Sequence, residues 1–501
     1  ASDTWTHVVR PYGTTPQNMG DWMPVKSLET RAPTSEEIVE VMLANQSSGA
    51  TAIGRGALPG QPVTLEIVDA ANVSTFSVRI GFIRARGNPL TGTYDHPRTP
   101  DMHTVNIQPG QAYTLTYPFG GPLYLQWSGG TGNEIIKIKL KGAIKYGHWD
   151  FTRGMSRAEQ EEAAANLEAG YFGWQTIKLQ GGEIQQILAY APKGADNIDF
   201  YINQSIKPVV FDTNHQVHGY ANQALFGQQS KLCDQFGWDC TSPQYHAVPG
   251  LQHFVGWIAA CGFACSGNPS DISGTVSSGW ATLHELGHNT VTRVETMVFD
   301  ESQGGGGCST ECNNNIVAGI SKMKEHALHP ASDNNGDRFN MPLLYRYIQE
   351  SRATGKTGVE LIDDMHQRLW KGNDGAKQAF TIQLAYLYSK NVLNLNQPTA
   401  DTVIEFMGLL NKGARLVDKA WDPDNKAKYG MSAYPDNKIT NPELVYVLGS
   451  KILGKDLKNI FAMYGIHLST EATQSVASLQ LPMQPLVYYA LKANGSNRLY
   501  E

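Results

Sequence analysis

Two histidines four residues apart, with a glutamate directly after the first, form the strongest chemical pattern in the sequence. They are His284, Glu285 and His288, within residues 278–289. Side chains at this spacing lie on one face of a helix, so both imidazoles can reach one tetrahedral Zn²⁺. The glutamate between them can accept a proton from the water that attacks a carbonyl. The pattern therefore predicts a helix that carries a hydrolytic site with one zinc ion per chain.

A catalytic zinc ion needs a third protein ligand, and acidic residues after the motif are the candidates. They are Glu295, Asp300, Glu301 and Glu311. On a continuous helix Glu295 would lie roughly 10 Å from His288 along the axis, which is too far to share the ion. Glu311 follows four glycines that allow the chain to reverse, and it opens a stretch that is typical of a second helix. We favour Glu311 and keep Glu301 as the second choice. Asn315 is one turn beyond Glu311, and two interpretations of it stay open: it holds a ligand in place, or it is an ordinary residue at a helix start.

Two other classes of zinc peptidase lack support in the sequence. The pattern HExxHxxGxxH is absent, because Val291 and Val294 stand where its glycine and third histidine would be. A GxMEN motif, which would capture the amino group of a substrate in an aminopeptidase, is absent as well. A different hypothesis is a carbohydrate-binding protein or adhesin with a structural or vestigial zinc site. A structural site normally has four protein ligands and does not need Glu285.

Composition and cysteine placement favour an exported protein. Charged residues make up 17% of the 501 residues and the net charge is −6, which disfavours a nucleic-acid-binding protein. The six cysteines are Cys233, Cys240, Cys261, Cys265, Cys308 and Cys312. Disulfides fit their spacing better than a zinc knot, and the sequential pairing is the simplest of about fifteen.

No export signal or membrane span is evident in the sequence. The first seven residues lack a basic segment followed by an apolar run, so we expect the leader of a secreted chain to be absent from this sequence. The longest apolar stretch, residues 254–264, is too short to span a bilayer. We expect a monomer that binds neither nucleic acid nor the membrane interior.

Apolar periodicity predicts an α+β protein in three parts. Residues 1–147 should form a helix near residues 34–43 and then an antiparallel β-sandwich, because short alternating segments are separated by Gly, Pro and Asn. Residues 148–319 should form the zinc-binding part, with all the cysteines and an acidic helix near residues 156–168. Residues 320–501 have helical periodicity, as in residues 343–350 and 376–389.

The motifs resemble those of the enhancin-like, mucin-targeting gluzincin metallopeptidases, the ImpA-type O-glycopeptidases among them. The resemblance is carried by His-Glu-Leu-Gly-His-Asn at residues 284–289 and by Glu-Cys-Asn-Asn-Asn at residues 311–315. Looser similarities occur at residues 52–65, 120–125 and 459–469. The resemblance implies a β-domain followed by a gluzincin domain. It also implies a secreted bacterial zinc endopeptidase that cuts O-glycosylated, mucin-like proteins next to a glycosylated Ser or Thr.

Carried onto this sequence, the resemblance implies His284, His288 and Glu311 as zinc ligands and Glu285 as the base, the same four that the spacing favours. Glycan recognition would need aromatic and polar side chains beside the cleft, and the candidates for substrate or glycan binding are Trp280, Trp257 and His253. Tyr245, His246 and His253 are candidates for stabilising an oxyanion. For each of these residues an ordinary structural role is the competing interpretation.

Overall fold

The computed structural model describes residues 33–58, 60–81, 103–117, 120–188, 191, 195–256, 270–272, 276–332, 338–491 and 497–500. The chain divides into two compact units. The first comprises Ala1–Phe211 and Pro249–Glu285, and the second comprises Asp212–Val248 and Leu286–Glu501. The domain boundaries expected at residues 147 and 319 stay a prediction.

Two antiparallel sheets in the first unit share one apolar core. Their strands are β1 Glu37–Met42, β2 Gly49–Ala57, β3 Val63–Asp69, β4 Thr75–Ile80, β5 His103–Ile107, β6 Ala112–Leu115, β7 Gly121–Ser128, β8 Ile135–Lys141 and β9 Ile144–Lys145. One sheet has the order β1–β8–β3–β6 and the other β5–β4–β7–β2–β9. Alternation positions the side chains: Val63, Leu65 and Ile67 of β3 enter the core, whereas Thr64 is exposed. The predicted β-sandwich is confirmed.

The helix expected near residues 34–43 is wrong, because this segment forms strand β1. Thr34-Ser-Glu-Glu is a typical helix start, but the residues that follow alternate, with Val39 and Val41 buried. Branched side chains favour an extended backbone, and β1 pairs with β8 along its whole length. Glu40 lies opposite Lys137 across that pair, so their charges also favour this register.

A third sheet in the first unit has the order β10–β11–β12–β13–β14 and mixes parallel with antiparallel pairs. Its strands are β10 Gly147–Asp150, β11 Trp174–Leu179, β12 Gly182–Ile187, β13 Gln252–Gly256 and β14 Ser270–Ile272. The acidic helix predicted near residues 156–168 is confirmed as α1, Arg157–Ala169. It begins at a capping box of Ser156 and Glu159 and ends at left-handed Gly170. Helix α2, Ala195–Phe200, continues into a π-helical segment, Tyr201–Asp212.

The second unit is built from helices around a large apolar core. They are α3 Thr213–Val217, α4 Gly227–Phe236, α5 Pro243–His246, α7 Asn314–Leu328, α8 Met341–Ala353, α9 Gly358–Trp370, α10 Asp374–Asn391, α11 Ala400–Lys419, α12 Asn441–Leu453, α13 Lys458–Met463 and α14 Thr470–Ala477. Short 3₁₀ turns occupy Glu301–Gln303 and Lys426–Tyr429, and β15 Tyr488–Leu491 pairs with β16 Asn497–Tyr500. The helices predicted after residue 320 are confirmed.

Helix α6, Trp280–Thr290, contains the point at which the chain passes from the first unit to the second. Disulfides join Cys233 to Cys240 and Cys308 to Cys312, two of the three sequential pairs. The expected third pair, Cys261 and Cys265, lies outside the described residues. Within the described part of the chain, every helix is too short or too polar to cross a bilayer.

Candidate metal centre

Helix α6 carries the whole histidine motif. Leu283 and Leu286 are buried on this helix, which fixes its rotation, and they leave His284, Glu285 and His288 partly exposed. Gly287 packs so closely on helix α7 that a β-carbon there would lie 2.4 Å from the carbonyl oxygen of Asn314. The glycine inside the motif therefore lets the His288 turn approach the N-terminal end of α7.

A glycine-rich loop brings the chain back toward α6. Residues 304–307 all have positive φ angles, and Gly307 pairs with Val298 in an isolated antiparallel bridge. A β-carbon on Gly306 would lie 2.4 Å from the carbonyl oxygen of Trp370, so the loop lies directly on the end of α9. His366 of α9 is buried there, with Nε2 2.8 Å from the carbonyl oxygen of Gly305. These contacts hold the chain just before Glu311.

Glu311 lies in a tight turn before α7, and the prediction that it opens a helix is wrong. Its φ is +72°, which is left-handed and uncommon for a residue other than glycine. The disulfide between Cys308 and Cys312 closes this turn, and the carbonyl oxygen of Ser309 accepts hydrogen bonds from the backbone N–H groups of Cys312 and Asn313. Helix α7 begins only at Asn314, and the disulfide turn presents the Glu311 side chain.

His284, His288 and Glu311 each offer one ligand atom, and all three atoms lie within 4.8 Å of one another. Glu311 Oε1 is 3.0 Å from His288 Nε2. Two ligands bound at roughly 2.1 Å to a tetrahedral ion would be separated by about 3.4 Å, so this pair needs little movement to share zinc. The Glu311 side chain is 57% exposed and the His288 side chain 7% exposed, which leaves one side of the cluster accessible.

The other acidic candidates lie elsewhere among the described residues. Helix α6 ends at Thr290, so Glu295 does not continue it; the carboxylate is buried against His218 Nε2 at 2.6 Å. Glu301 begins an exposed 3₁₀ turn, and Asp300 directly precedes that turn. Neither belongs to a metal-binding group in the described part of the chain.

Two neighbouring asparagines lie beside the proposed metal ligands. Asn315 Nδ2 donates to the backbone carbonyl of Glu311 at 2.8 Å, so it supports the turn that presents this side chain. Asn314, which the sequence interpretation passed over, is buried and places Nδ2 3.2 Å from Nε2 of His288. That Asn315 holds a ligand in place stays a prediction, and a left-handed turn at Glu311, not one turn of helix, separates the two residues.

The residues considered for substrate contacts are dispersed. Trp280 is the partly exposed first residue of α6, and Trp257 lies outside the described residues. His253 is buried in β13, with Nδ1 2.6 Å from Gln185 Nε2, and burial lowers its pKa. Its contacts are those of a structural residue inside the first unit.

The two remaining oxyanion candidates lie in the second unit. His246 Nε2 donates to the carbonyl of Asp239 at 2.7 Å, and its Nδ1 accepts from Arg415 Nε at 2.9 Å. Burial, and then the charge of Arg415, lowers the pKa of His246 to about 3. Tyr245 stacks edge-on against His246. With both ring nitrogens engaged, His246 has a structural role.

Comparison with known proteins identifies relatives over nearly the whole chain. No family model matches it. The immunomodulating metalloprotease of Pseudomonas aeruginosa is 28% identical over 520 residues, which cover 98% of this chain and 54% of that protein. The chain thus spans about half the length of this curated relative.

Two solved structures are also similar to this chain over nearly its whole length. IMPa from Pseudomonas aeruginosa in complex with an O-glycopeptide has a TM-score of 0.80 and 26% identity, over 98% of this chain and 55% of that one. The IMPa metallopeptidase in complex with T-antigen has a TM-score of 0.78 and 25% identity, over 98% and 56% respectively. The resemblance to ImpA-type metallopeptidases that the histidine motif indicated is therefore confirmed along nearly the whole chain.

Proposed function

We propose that this chain is a zinc endopeptidase that hydrolyses peptide bonds in O-glycosylated, mucin-like proteins, next to a glycosylated Ser or Thr. The observation that carries the proposal is the cluster of His284, His288 and Glu311, with Glu285 next to His284 on the same helix. Two imidazoles and one carboxylate are the protein ligands of many hydrolytic zinc sites.

The donor set fits zinc in a catalytic role. Nitrogen and carboxylate ligands suit Zn²⁺, whereas Mg²⁺ and Ca²⁺ prefer oxygen ligands alone. Three protein ligands leave a fourth position for water or substrate, which a structural site would fill with a fourth side chain. When bound, zinc in such a site acts as a Lewis acid and makes water more acidic.

Glu285 is the proton carrier in this proposal. It follows His284 directly and is partly exposed, so its carboxylate can accept a proton from an attacking water and pass it to the leaving amine. The neighbouring carboxylate, Glu311, is committed to the metal. A protein that only bound carbohydrate would have no use for Glu285, so the pairing of a base with an incomplete ligand set supports hydrolysis.

The substrate class comes from the relatives. IMPa has been solved with an O-glycopeptide and with T-antigen, and this chain resembles both structures over 98% of its length. We therefore propose O-glycosylated proteins as substrates. The disulfides Cys233–Cys240 and Cys308–Cys312 support an oxidising location, and we propose that the protein works outside the cell.

One synthetic peptide, made with and without a single O-linked glycan on Thr, tests this proposal. The purified chain is incubated with each form, and the products are mapped by mass spectrometry before chelation, after chelation and after zinc is restored. We expect one cut beside the glycosylated Thr, loss of cutting on chelation and its return with zinc. Equal cutting of both peptides would contradict glycan dependence. Glycopeptide binding with no cutting under any metal condition would favour the carbohydrate-binding alternative.

A further inference from the structure

A buried polar network contacts the last turn of α6, the turn that carries His288. Asn214 Nδ2 donates to Oγ1 of Thr290 at 3.0 Å, and that hydroxyl donates to the carbonyl oxygen of Leu286 at 3.1 Å. The hydroxyl of Tyr220 faces the carbonyl oxygen of Thr290 at 3.5 Å. The terminal turn of a helix has no intrahelical partners for its last carbonyls and frays unless other groups bind them.

His218 and Glu295 complete the network behind Asn214. His218 Nδ1 lies 2.8 Å from the carbonyl oxygen of Asn214 and 3.0 Å from its Oδ1, while Nε2 lies 2.6 Å from Glu295 Oε1. Both ring nitrogens face oxygen atoms of neighbouring groups, so contacts on both sides fix the orientation of the ring. Thr292 Oγ1 donates to the same oxygen of Glu295 at 2.9 Å.

The members of this network are buried. The side chains of His218 and Glu295 are both fully buried, and Asn214 and Thr290 are 2% and 3% exposed. A buried hydrogen-bonded pair resists displacement, because a polar group that loses its partner away from water costs free energy. Asn214 is thereby held in one orientation, with its oxygen toward His218 and its nitrogen toward Thr290.

We propose that Asn214, His218 and Glu295 are positioning residues that fix the final turn of α6 and so aim His288 at the metal; this inference rests on the proposed function. Thr290 lies two residues after His288 in the same helical turn. Contacts that hold Thr290 therefore also fix the backbone position from which the His288 side chain extends. Gly287, packed on the carbonyl of Asn314, gives the same turn a second fixed contact. None of the three positioning residues needs to touch substrate or metal.

Isosteric variants of the full chain separate positioning from folding. Thr290→Val removes the hydroxyl and keeps the shape of the side chain, whereas Thr290→Ser keeps the hydroxyl. Glu295→Gln keeps an oxygen that can face His218 and removes the charge. Thr381→Val is the matched control, because Thr381 is 4% exposed inside α10 of the same unit.

The readouts are the zinc dissociation constant, by competition with a chromophoric chelator, and the visible spectrum of the Co²⁺-substituted chain. Supporting groups behind metal ligands typically change metal affinity by about 10- to 100-fold. We expect Thr290→Val and Glu295→Gln to weaken zinc binding by at least about tenfold and to alter the Co²⁺ spectrum. Thr290→Ser and Thr381→Val should remain close to the unmodified chain.

Unchanged affinity and spectrum in Thr290→Val would overturn the inference, as would an equal loss in Thr381→Val. Should Glu295→Gln fail to fold, the Thr290 variants still decide. If the unmodified chain does not bind zinc, the proposed function fails. If all variants bind zinc equally well, only the positioning inference fails.

Discussion

The carboxylate of Glu311 lies 3.0 Å from Nε2 of His288, although a glycine-rich loop and a disulfide turn separate the two residues in the chain. His284 and His288 owe their proximity to helical geometry alone. Glu311 reaches them only because the loop at residues 304–307 reverses the chain and the Cys308–Cys312 turn sets its direction. Metal binding should therefore depend on the turn as much as on the helix.

Replacing the third ligand should weaken metal binding directly. Glu311→Gln removes the charge from the metal-facing oxygen, and we expect zinc affinity to fall by more than about 100-fold, beyond the effect of a supporting residue. Glu301→Gln is the matched control, since Glu301 is an exposed carboxylate on the same return segment. Chelator competition measures both. A larger loss in Glu301→Gln than in Glu311→Gln would show that the ligand has been misassigned.

Replacing the base should separate metal binding from chemistry. Glu285→Gln leaves all three ligands in place, so the zinc content by elemental analysis should match that of the unmodified chain. General-base catalysis typically contributes about 10²- to 10⁴-fold, and we expect glycopeptide cleavage to slow by at least about 100-fold. Near-normal turnover by this variant would exclude Glu285 as the proton carrier.

The two described disulfides should differ in their effect on the metal. Each closes a short loop, with sequence separations of 4 and 7, so replacing either pair by Ser should cost roughly 2 kcal/mol of folding stability. Only the Cys308 and Cys312 pair holds the turn of Glu311. We expect the variant with Ser at positions 308 and 312 to bind zinc more weakly than the unmodified chain. The variant with Ser at positions 233 and 240 should keep its zinc affinity, although urea should unfold the two variants at similar concentrations. Equal zinc affinity in both would mean that the turn forms without its bridge.

Gly287 should tolerate no side chain. A β-carbon at Gly287 would meet the Asn314 carbonyl at 2.4 Å, so Gly287→Ala must push α6 away from α7. Such overpacking typically costs about 1–3 kcal/mol. At Gly227, the first residue of α4, a β-carbon meets nothing within 4 Å, which makes Gly227→Ala the control. Urea unfolding should show a loss for position 287 and almost none for position 227; equal midpoints would contradict the close packing.

His246 should make the folded chain less stable in mild acid. Its pKa is lowered to about 3 by burial and by Arg415, whereas an unfolded histidine titrates near about 6.5. Between these values the unfolded chain binds a proton that the folded chain does not, so this contribution to stability is lost as pH falls below about 6.5. From pH 7 to pH 5 it amounts to about 2 kcal/mol. His246→Gln should flatten the pH dependence of urea unfolding; parallel curves for both chains would contradict the assignment.

The sequence predicted those features that depend on local periodicity. The alternation in β3 and β8, the acidic helix α1 and the spacing of His284 and His288 each depend on neighbours within a few residues, and the structure shows each element. The segment at Thr34 shows the limit. Its helix-start residues were outweighed by pairing with β8, a partner almost a hundred positions away.

Sequence patterns also predicted only part of the candidate metal site. Glu311 could be favoured from its position after four glycines, but a left-handed φ at a glutamate has no local sequence signal. Helix α7 begins at Asn314, after this residue, and Nδ2 of Asn314 lies 3.2 Å from Nε2 of His288. The pairing of His218 with Glu295 joins segments 77 positions apart and was equally inaccessible to spacing arguments.

The most direct test is a crystal of the full chain grown with zinc and measured on both sides of the zinc absorption edge. An anomalous difference map locates the ion independently of any assumption about its ligands. We predict one strong peak at roughly 2.0–2.2 Å from an imidazole nitrogen of His284, from Nε2 of His288 and from a carboxylate oxygen of Glu311. A peak held by other residues, or a peak lacking Glu311 among its ligands, would contradict it.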